Sequence, residues 1–419
     1  MILAIAILLL FLLFAGLMYL NKLPALLALP LMAVVIALIA GIPLPEIITK
    51  VVAEGAVKLN LAIITVLIGA MLSQFVSRSG IAETLIKKAA ELSGDRPLAV
   101  ALVLTLVEAL LFTVLGGLGA VIMVATIILP ILLSIGIPKM VAGCLFLLGL
   151  SLGGILNLGN WQLYISVLGL SQNQILNFAL PFALAGLIVM LSFLFIELKR
   201  SKLSPYEDPP FESVSWYALL TPLIPLILVL GFILYKFEFP IISAMLIGLL
   251  YGFLTTFKKL DESINNLSRS IIEGVASVAP AVAIMMGIGM VLNAVTHPQV
   301  SNLITPLVKS ILPSTPWYYV LFFAILAPLS LYRGPLNIWG MGAGLIGLML
   351  ASKSLPVAAI MAALLSVGQI QGVCDPTNTH NVWIANFLNI NVQEILRRTI
   401  LYMWILAIFG LIIAGIRYF

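Results

Sequence analysis

Residues 371–381 read QGVCDPTNTHN, a densely polar run in the middle of an apolar stretch that extends from 356 to 388. A helix that is broken inside a bilayer exposes backbone N–H and C=O groups that lipid cannot satisfy. Such breaks therefore persist only around a polar cavity or a bound ligand. This run predicts a broken membrane helix whose interruption lines a solute site.

The break has a counterpart 218 residues earlier in the chain. The run GGILNLGNW occupies 153–161, and residues 116–160 match residues 334–378 at 11 of 45 positions, among them Asn160 with Asn378. Doubled helical membrane chains with interruptions in matching places are the usual build of secondary transporters, whose substrate site lies where the halves meet. The repeat therefore predicts both an activity and the place of the site.

The composition assigns the chain to a membrane. Hydrophobic residues make up 62% of the 419 residues and charged residues only 9%. Apolar stretches of about 20 residues, long enough to cross a bilayer core, follow one another along the chain. We expect an all-α polytopic protein of the inner or plasma membrane, surrounded by the lipid bilayer and without a nucleic-acid partner. The sequence lacks H-E-x-x-H and Walker A motifs, so we expect no enzyme activity and no bound cofactor other than a sodium ion.

We interpret the chain as two repeats joined by a cytoplasmic linker at 199–215. The first repeat, 1–198, is expected to hold scaffold spans at 2–77, an arm at 80–94, a hairpin at 97–134, a broken helix at 138–170 and a span at 174–198. The second repeat, 216–419, is expected to hold scaffold spans at 216–294, an arm at 299–312, a hairpin at 316–352, a broken helix at 356–388 and a span at 392–418. Each hairpin either dips into the membrane and returns or crosses it as two thin spans.

The two halves are expected to face opposite ways. Each contains five full crossings, and an odd number of crossings makes the second half enter from the other side. Fourteen lysines and arginines fall on one face and six on the other, and the excess marks the cytoplasmic side. We therefore predict an inverted repeat with both termini on the non-cytoplasmic side.

Three charged residues lie within membrane segments, where a charge is costly and marks a functional candidate. Arg333, at the second hairpin tip, could hold a carboxylate with its planar guanidinium group, or it could reach the interface from a loop. Asp375, in the second break, could ligate sodium, carry a proton or cap a turn. Glu108, in the first hairpin, could carry a proton or make a polar contact with the scaffold.

Neutral polar residues at the breaks supply further oxygens and amides. His380 could titrate near neutral pH or serve only as a hydrogen-bonding residue. Neutral oxygens suit sodium as well as a substrate, and the residues that offer them are Asn157, Asn160, Thr377, Asn378, Thr379 and Asn381. Among them, Asn157 and Asn378 are, together with Asp375, the candidate sodium ligands.

At the two breaks the sequence resembles the ion transporter superfamily. Residues 153–161 and 371–381 are similar to the interruption of that group, in which two glycines, a short spacer and a Gly-Asp/Asn-Pro element follow one another. The group includes arsenite permease-like, citrate, gluconate and divalent anion:sodium symporter families. The order of spans, hairpin, broken helix and span extends the resemblance over nearly the whole chain.

The resemblance implies a scaffold that forms a homodimer and a transport domain that moves against it like an elevator. It surrounds the substrate and sodium with the breaks and the hairpin tips, which adds Gly116, Gly117, Gly334 and Asn337 to the candidate substrate-binding residues. One departure concerns specificity. The dicarboxylate branch has Ser-Asn-Thr at both tips, whereas this chain has Leu-Gly-Gly at 115–117 and Arg-Gly-Pro at 333–335.

The sequence thus predicts a secondary active transporter for a small anion, an organic carboxylate above all, coupled to sodium or protons. A sodium:proton exchanger is the alternative and would use the same breaks, with Asp375 and Glu108 exchanging protons and Arg333 as the internal counter-ion. An ion channel fits less well, because most of the helices are too apolar to line a continuous pore.

A peptide tag at either terminus tests the predicted topology. We expect an impermeant reagent added to intact cells to reach both tags, and to reach a tag in the linker 199–215 only after the membrane is permeabilised. A terminal tag that reacts only in permeabilised cells would contradict the arrangement.

Overall fold

A computed structural model describes residues 2–19, 22–93, 96–199, 214–233, 235–334, 336–338 and 342–419. Within these ranges the chain is helical and contains no β-strand. Five helical units are long and apolar enough to cross a membrane, or up to seven if each of two bent pairs is one span. Together with shorter apolar helices they confirm an all-α, multi-pass membrane fold.

The first half of the chain, up to residue 199, is built from eleven described α-helices. They are α1 (Ile2–Tyr19), α2 (Ala25–Ile39), α3 (Leu44–Glu46), α4 (Glu54–Val57), α5 (Asn60–Arg78), α6 (Ile81–Leu92), α7 (Pro97–Phe112), α8 (Leu118–Ser134), α9 (Lys139–Ile155), α10 (Leu158–Leu168) and α11 (Gln172–Lys199). A π-helical turn, Ile47–Ala53, joins α3 to α4, so that residues 44–78 form one long helical unit. Between α9 and α10 the helix axis bends by 48°.

The second half contains nine α-helices within the described ranges. They are α12 (Ile224–Ile233), α13 (Ile241–Thr255), α14 (Leu260–Thr296), α15 (Pro298–Ile311), α16 (Pro316–Leu326), α17 (Gly342–Ser352), α18 (Val357–Cys374), α19 (Thr379–Leu388) and α20 (Val392–Tyr418). Short 3₁₀ turns at Trp216–Leu220 and Ala327–Arg333 come before α12 and after α16.

The longest helix, α14, begins earlier than hydropathy indicates. It has 37 residues and starts at Leu260, whereas the apolar stretch predicts a span only from 272. Residues 260–271 contain neither glycine nor proline, and Asp261 and Glu262 stand in the first turn, where carboxylates favour a helix N-terminus. Hydropathy marks the part of a helix that suits lipid, so it misses a polar extension of the same helix.

Two glycines in matching places bring the helical unit 44–78 into backbone contact with α14. A Cβ atom on Gly55 would lie 2.7 Å from the Cα atom of Met290, and one on Gly274 would lie 2.7 Å from the Cα atom of Met71. Gly55 and Gly274 are 219 residues apart, and so are Met71 and Met290. The two contacts therefore exchange places when the two halves of the chain are exchanged.

Polar contacts also join the helical unit 44–78 to α14. Arg78 donates to the two carboxylate oxygens of Glu273 at 2.8 and 2.9 Å. Lys58 Nζ donates to Asn293 Oδ1 at 2.6 Å. Together with the glycine contacts, these bonds join the helical unit 44–78 and α14 into one packed layer, which we call the wall.

The first broken helix contacts this wall through α10, which packs on α5. α9 approaches α7 at Gly149 and Gly153, where a Cβ atom would come into close contact with Glu108 and Ala109. α18 packs along α20 and also contacts α9. The two breaks, at 156–157 and 375–378, consequently lie in the interior of the protein.

The glycine contacts predict a position-dependent loss of stability. Gly274→Ala places a methyl group against the backbone of the facing helix, and overpacking of this kind costs about 1–3 kcal/mol. We expect a lower melting temperature for the purified variant. Gly231→Ala is the matched control, because nothing lies within 4 Å of a Cβ atom at that position. Equal melting temperatures for the two variants would argue against the contact.

Candidate solute site

A cavity of about 450 Å³ lies between the two breaks and the wall formed by α5 and α14. Thr65 and Gly69 of α5 and Ser277 and Ala281 of α14 line one side, and the first hairpin loop and both breaks line the other. The volume is that of a small-molecule site, for which about 300–1,000 Å³ is usual. Segments from both halves of the chain thus enclose one space.

Asn157 holds the first break together. Its Oδ1 accepts a hydrogen bond from the Asn160 backbone N–H at 3.0 Å and so caps the start of α10. Its Nδ2 donates to the carbonyl oxygens of Phe112 and Leu115 at 2.7 and 3.0 Å. The Leu158 backbone N–H also donates to the hairpin, to the carbonyl oxygen of Thr113 at 2.9 Å. The break and the first hairpin loop are therefore one hydrogen-bonded unit.

Side chains of the second break form hydrogen bonds with its own backbone and with one another. Asp375 Oδ1 accepts from the backbone N–H and the hydroxyl of Thr377 at 2.8 and 2.7 Å. Asn378 caps α19, with Oδ1 accepting from the His380 backbone N–H at 3.2 Å. Asn381 Nδ2 donates to the carbonyl oxygens of Val373 and Asp375 at 3.0 and 2.9 Å. These bonds satisfy carbonyl groups that the interrupted helix leaves free.

Three helices begin at the cavity. α8 starts after Gly117, α10 after Asn157 and α19 after Asn378, and all three of these residues line the cavity. The first N–H groups of a helix lack intrahelical partners and carry a partial positive charge, so helix N-termini favour anions. No lysine, arginine, aspartate or glutamate is present among the described residues of the lining. The charge preference of this part of the site therefore comes from the helix ends.

A hydrogen bond joins equivalent positions of the two halves at the edge of the cavity. Ser151 Oγ donates to Gln369 Oε1 at 2.7 Å, and the two residues, which both line the cavity, are 218 apart, as are the repeats. Other lining residues form pairs with the same spacing: Leu150 with Gly368, Gly154 with Gly372, and Asn160 with Asn378. Neither Ser151 nor Gln369 is among the residues predicted from the sequence, although two polar residues at one repeat position in apolar helices are a usable signal.

The cavity brings together many, but not all, of the residues that the sequence singles out. Those that line it are Gly116, Gly117, Asn157, Asn160, Asn337, Asn378, Thr379 and His380. Gly334, Thr377, Asp375 and Glu108 do not line it. The side chain of Arg333 and residue Pro335 lie outside the part of the chain that the structure describes, so the predicted role of Arg333 stays a prediction.

The first hairpin loop rests directly on the wall. Gly117 has a φ of +84°, a conformation that favours glycine. A Cβ atom on Gly117 would lie 2.9 Å from Cγ1 of Val278, and one on Gly119 would overlap the amide of Gln74. The loop glycines thus lie directly against side chains of both α5 and α14.

Metal binding by charged or soft ligands has no support at the described positions. No group of three or more histidine, cysteine, aspartate or glutamate residues comes together there. Sodium needs only oxygen ligands, and the oxygens nearest to that requirement are the Asp375 carboxylate and the amide oxygen of Asn381, which is buried and has no described hydrogen-bond partner. Asn157 Oδ1 and Asn378 Oδ1 each cap a helix.

No protein-family model and no curated protein matches the sequence. The structure is nevertheless similar to solved transporter structures. The YdaH transporter of Alcanivorax borkumensis gives a TM-score of 0.64 at 12% identity, covering 88% of this chain and 87% of that chain. MtrF of Neisseria gonorrhoeae, from a class of antimetabolite efflux pumps, gives 0.58 at 12% identity, covering 90% and 84%. The chain shares its fold with these membrane proteins, while membership of the ion transporter superfamily stays a prediction.

Asn157 offers a direct test of the unit formed by the first break and the hairpin. Asn157→Asp keeps the capping oxygen but replaces the N–H donor with a carboxylate oxygen, so the carbonyl oxygens of Phe112 and Leu115 lose their hydrogen bonds. Leaving such buried groups unpaired costs about 1–3 kcal/mol. We expect a lower melting temperature at neutral pH for this variant. Asn60→Asp is the control, because Asn60 is exposed and uses its oxygen only to accept from the Leu61 backbone N–H. An unchanged melting temperature for Asn157→Asp would refute the two donated bonds.

Proposed function

We propose that this protein is a secondary active transporter that moves a small organic anion across the inner or plasma membrane by alternating access, coupled to a cation. The observation that carries the proposal is the cavity between the breaks, where three helix N-termini converge and no acidic side chain is described. Transporters with the same fold support the general class. An enzyme reaction has no comparable support.

The lining favours an anion that has an apolar part. The side formed by α5 and α14 is largely apolar, with Val66, Ala70 and Val278 among its residues. The opposite side carries amides, such as those of Asn160 and Gln371, next to the helix N-termini. Each helix N-terminus stabilises a nearby anion by about 0.3–1 kcal/mol, and by up to about 2 kcal/mol where partly buried. A carboxylate at the amides with its carbon skeleton against the wall satisfies both sides.

Reciprocal contacts support the inverted repeat within this proposal. Gly55 contacts Met290 as Gly274 contacts Met71, and Ser151 bonds to its own counterpart Gln369. Contacts that map onto themselves when the halves are exchanged are expected for two halves related by a two-fold axis. The wall formed by α5 and α14 is then the scaffold, and the hairpins with the broken helices form the body that moves like an elevator, in a homodimer as the resemblance implies.

Sodium is the coupling ion that the breaks favour. Asp375 is fully buried and follows the last residue of α18, and its carboxylate accepts a hydrogen bond from the Thr377 hydroxyl. The last carbonyl groups of a helix have no partner within that helix and can coordinate a cation. The oxygen of Asn381 lies in the same break. A carboxylate with neutral oxygens and carbonyl groups is a ligand set that suits a hard cation.

A thermal-stability screen of the purified protein tests the function. Citrate, succinate, gluconate and benzoate are each added with sodium chloride or with choline chloride at equal ionic strength. We expect at least one organic anion to raise the melting temperature, and to raise it further with sodium. Stabilisation by sodium and pH alone, with no response to any anion, would instead support a sodium:proton exchanger.

Variants of the lining locate the site once an anion from the screen is in hand. Asn160→Leu is expected to weaken its effect about tenfold, because a hydrogen bond to a charged group contributes about 1.5–3 kcal/mol. Arg333→Ala and Asp375→Ala are expected to abolish coupled uptake into proteoliposomes. Thr126→Val is the control, since Thr126 is exposed and bonds only to the Met123 carbonyl group. Normal uptake by all three site variants would refute this site.

A further inference from the structure

The carboxyl group of Glu108 lies in a pocket that the transport site does not use. Glu108 belongs to α7 and is 0% exposed. It faces α9, where a Cβ atom on Gly149 would lie 2.6 Å from Glu108 Oε2. Thr105 borders the same contact, but its hydroxyl donates to the Ala101 carbonyl oxygen at 2.8 Å. Because Gly149 has no side chain, the carboxyl group of Glu108 can lie directly against the backbone of α9.

Neither carboxyl oxygen of Glu108 has a hydrogen-bond partner among the described residues. The group faces the backbone of Leu150, whose N–H belongs to the interior of α9. A buried carboxylate loses its hydration, and a backbone N–H that is already bonded within its own helix offsets little of that loss. The geometry therefore fits a protonated Glu108.

No described charged group contacts this carboxyl from the helices packed against α7, which are α6, α8, α9 and α11. α8 has no ionisable side chain. The ionisable groups on the other three are Glu83, Lys87, Lys88 and Glu91 on α6, Lys139 and Cys144 on α9, and Glu197 and Lys199 on α11. Two of these acids already have cationic partners, since Lys87 pairs with Glu83 and Arg398 with Glu197.

The second half of the chain has larger, apolar residues at the equivalent positions. At the repeat spacing of 218, Leu326 takes the position of Glu108 and Val367 that of Gly149. The second half therefore packs with apolar side chains at these positions. Because packing does not require an acid, we ask what the carboxyl group of Glu108 does in the first half.

Glu108 lies next to the segments of α7 and α9 that line the cavity. Phe112, one turn further along α7, lines the cavity, and so do Leu150 and Ser151, which follow Gly149 on α9. Gly149 presents no side chain that would hold α7 in register. The carboxyl group is thus separated from the cavity lining by about one helical turn of α7.

We propose that Glu108 is a reversible proton-binding site that couples the protonation of the first hairpin to its position on α9. The inference rests on the proposed transport function and assigns a proton as a coupling ion in addition to sodium. With the hairpin seated, Glu108 is the neutral acid. When α7 moves and water reaches the group, the O–H bond breaks, the proton passes to water and the carboxylate remains hydrated. Uptake of a proton from water restores the acid and allows the hairpin to seat again.

Infrared spectroscopy of the purified protein tests the protonation without any transported solute. Protein with ¹³C-labelled glutamate is expected to show the C=O stretch of a protonated glutamic acid at neutral pH, and Glu108→Gln is expected to lose that band. Glu91→Gln removes an exposed acid on the neighbouring helix and is expected to keep it. A wild-type spectrum without the band at neutral pH overturns the proposal, whether or not an anion is transported.

Labelling of a cysteine in the hairpin loop tests the coupling. Leu115→Cys places a thiol in the buried loop, and its rate of reaction with an impermeant maleimide is measured against pH, relative to the same thiol in unfolded protein. We expect the relative rate to rise with pH as Glu108 ionises, and this rise to be lost when Glu108→Gln or Glu108→Leu is added. The second variant copies the residue of the other half, so a folding defect of the first does not decide the result. An unchanged rise in both overturns the coupling, while the anion screen stands or falls separately.

Discussion

Inside a bilayer, a backbone N–H or C=O group freed by a broken helix has to find a partner within the protein, and the rest of this structure depends on that requirement. Two asparagines meet much of it. Asn157 donates to two carbonyl oxygens at the end of the first hairpin helix, and Asn381 donates to two within its own break. With these carbonyl groups satisfied, the short helices after the breaks can begin at a cavity and not at lipid.

The two breaks solve this problem differently, and the difference follows the sequence. In the first half, the polar groups reach out to the hairpin loop, which becomes part of the same unit. In the second half, the described bonds of Thr377 and Asn378 go to Asp375 and to adjacent backbone. The first break therefore depends on where the hairpin lies. Motion of the first hairpin loop has to carry the start of α10 along.

The helical membrane fold and the place of the cavity could be predicted from the repeat, because a bilayer tolerates a polar run within an apolar stretch only where protein or water surrounds it. Which single polar residues of a helix face the cavity could not be predicted from the local sequence. Ser151 is flanked by apolar residues and Gln369 lies near Ser366 and Gln371, so only their shared repeat position, and nothing local, marks them as facing one cavity. The role of Thr377 likewise depends on backbone torsions, which turn its hydroxyl toward Asp375 and away from the cavity. The polar start of α14 carries no hydropathy signal.

The hydrogen bond between Ser151 and Gln369 also bears on how such a protein can change over evolution. If two identical half-length chains formed this site, the residue facing its own copy would be the same on both sides, and donor and acceptor would have to be one side-chain type. A single chain removes that restriction. Serine on one side and glutamine on the other give a directed bond, so the two halves of the site can diverge toward an asymmetric solute while the surrounding helices keep their common packing.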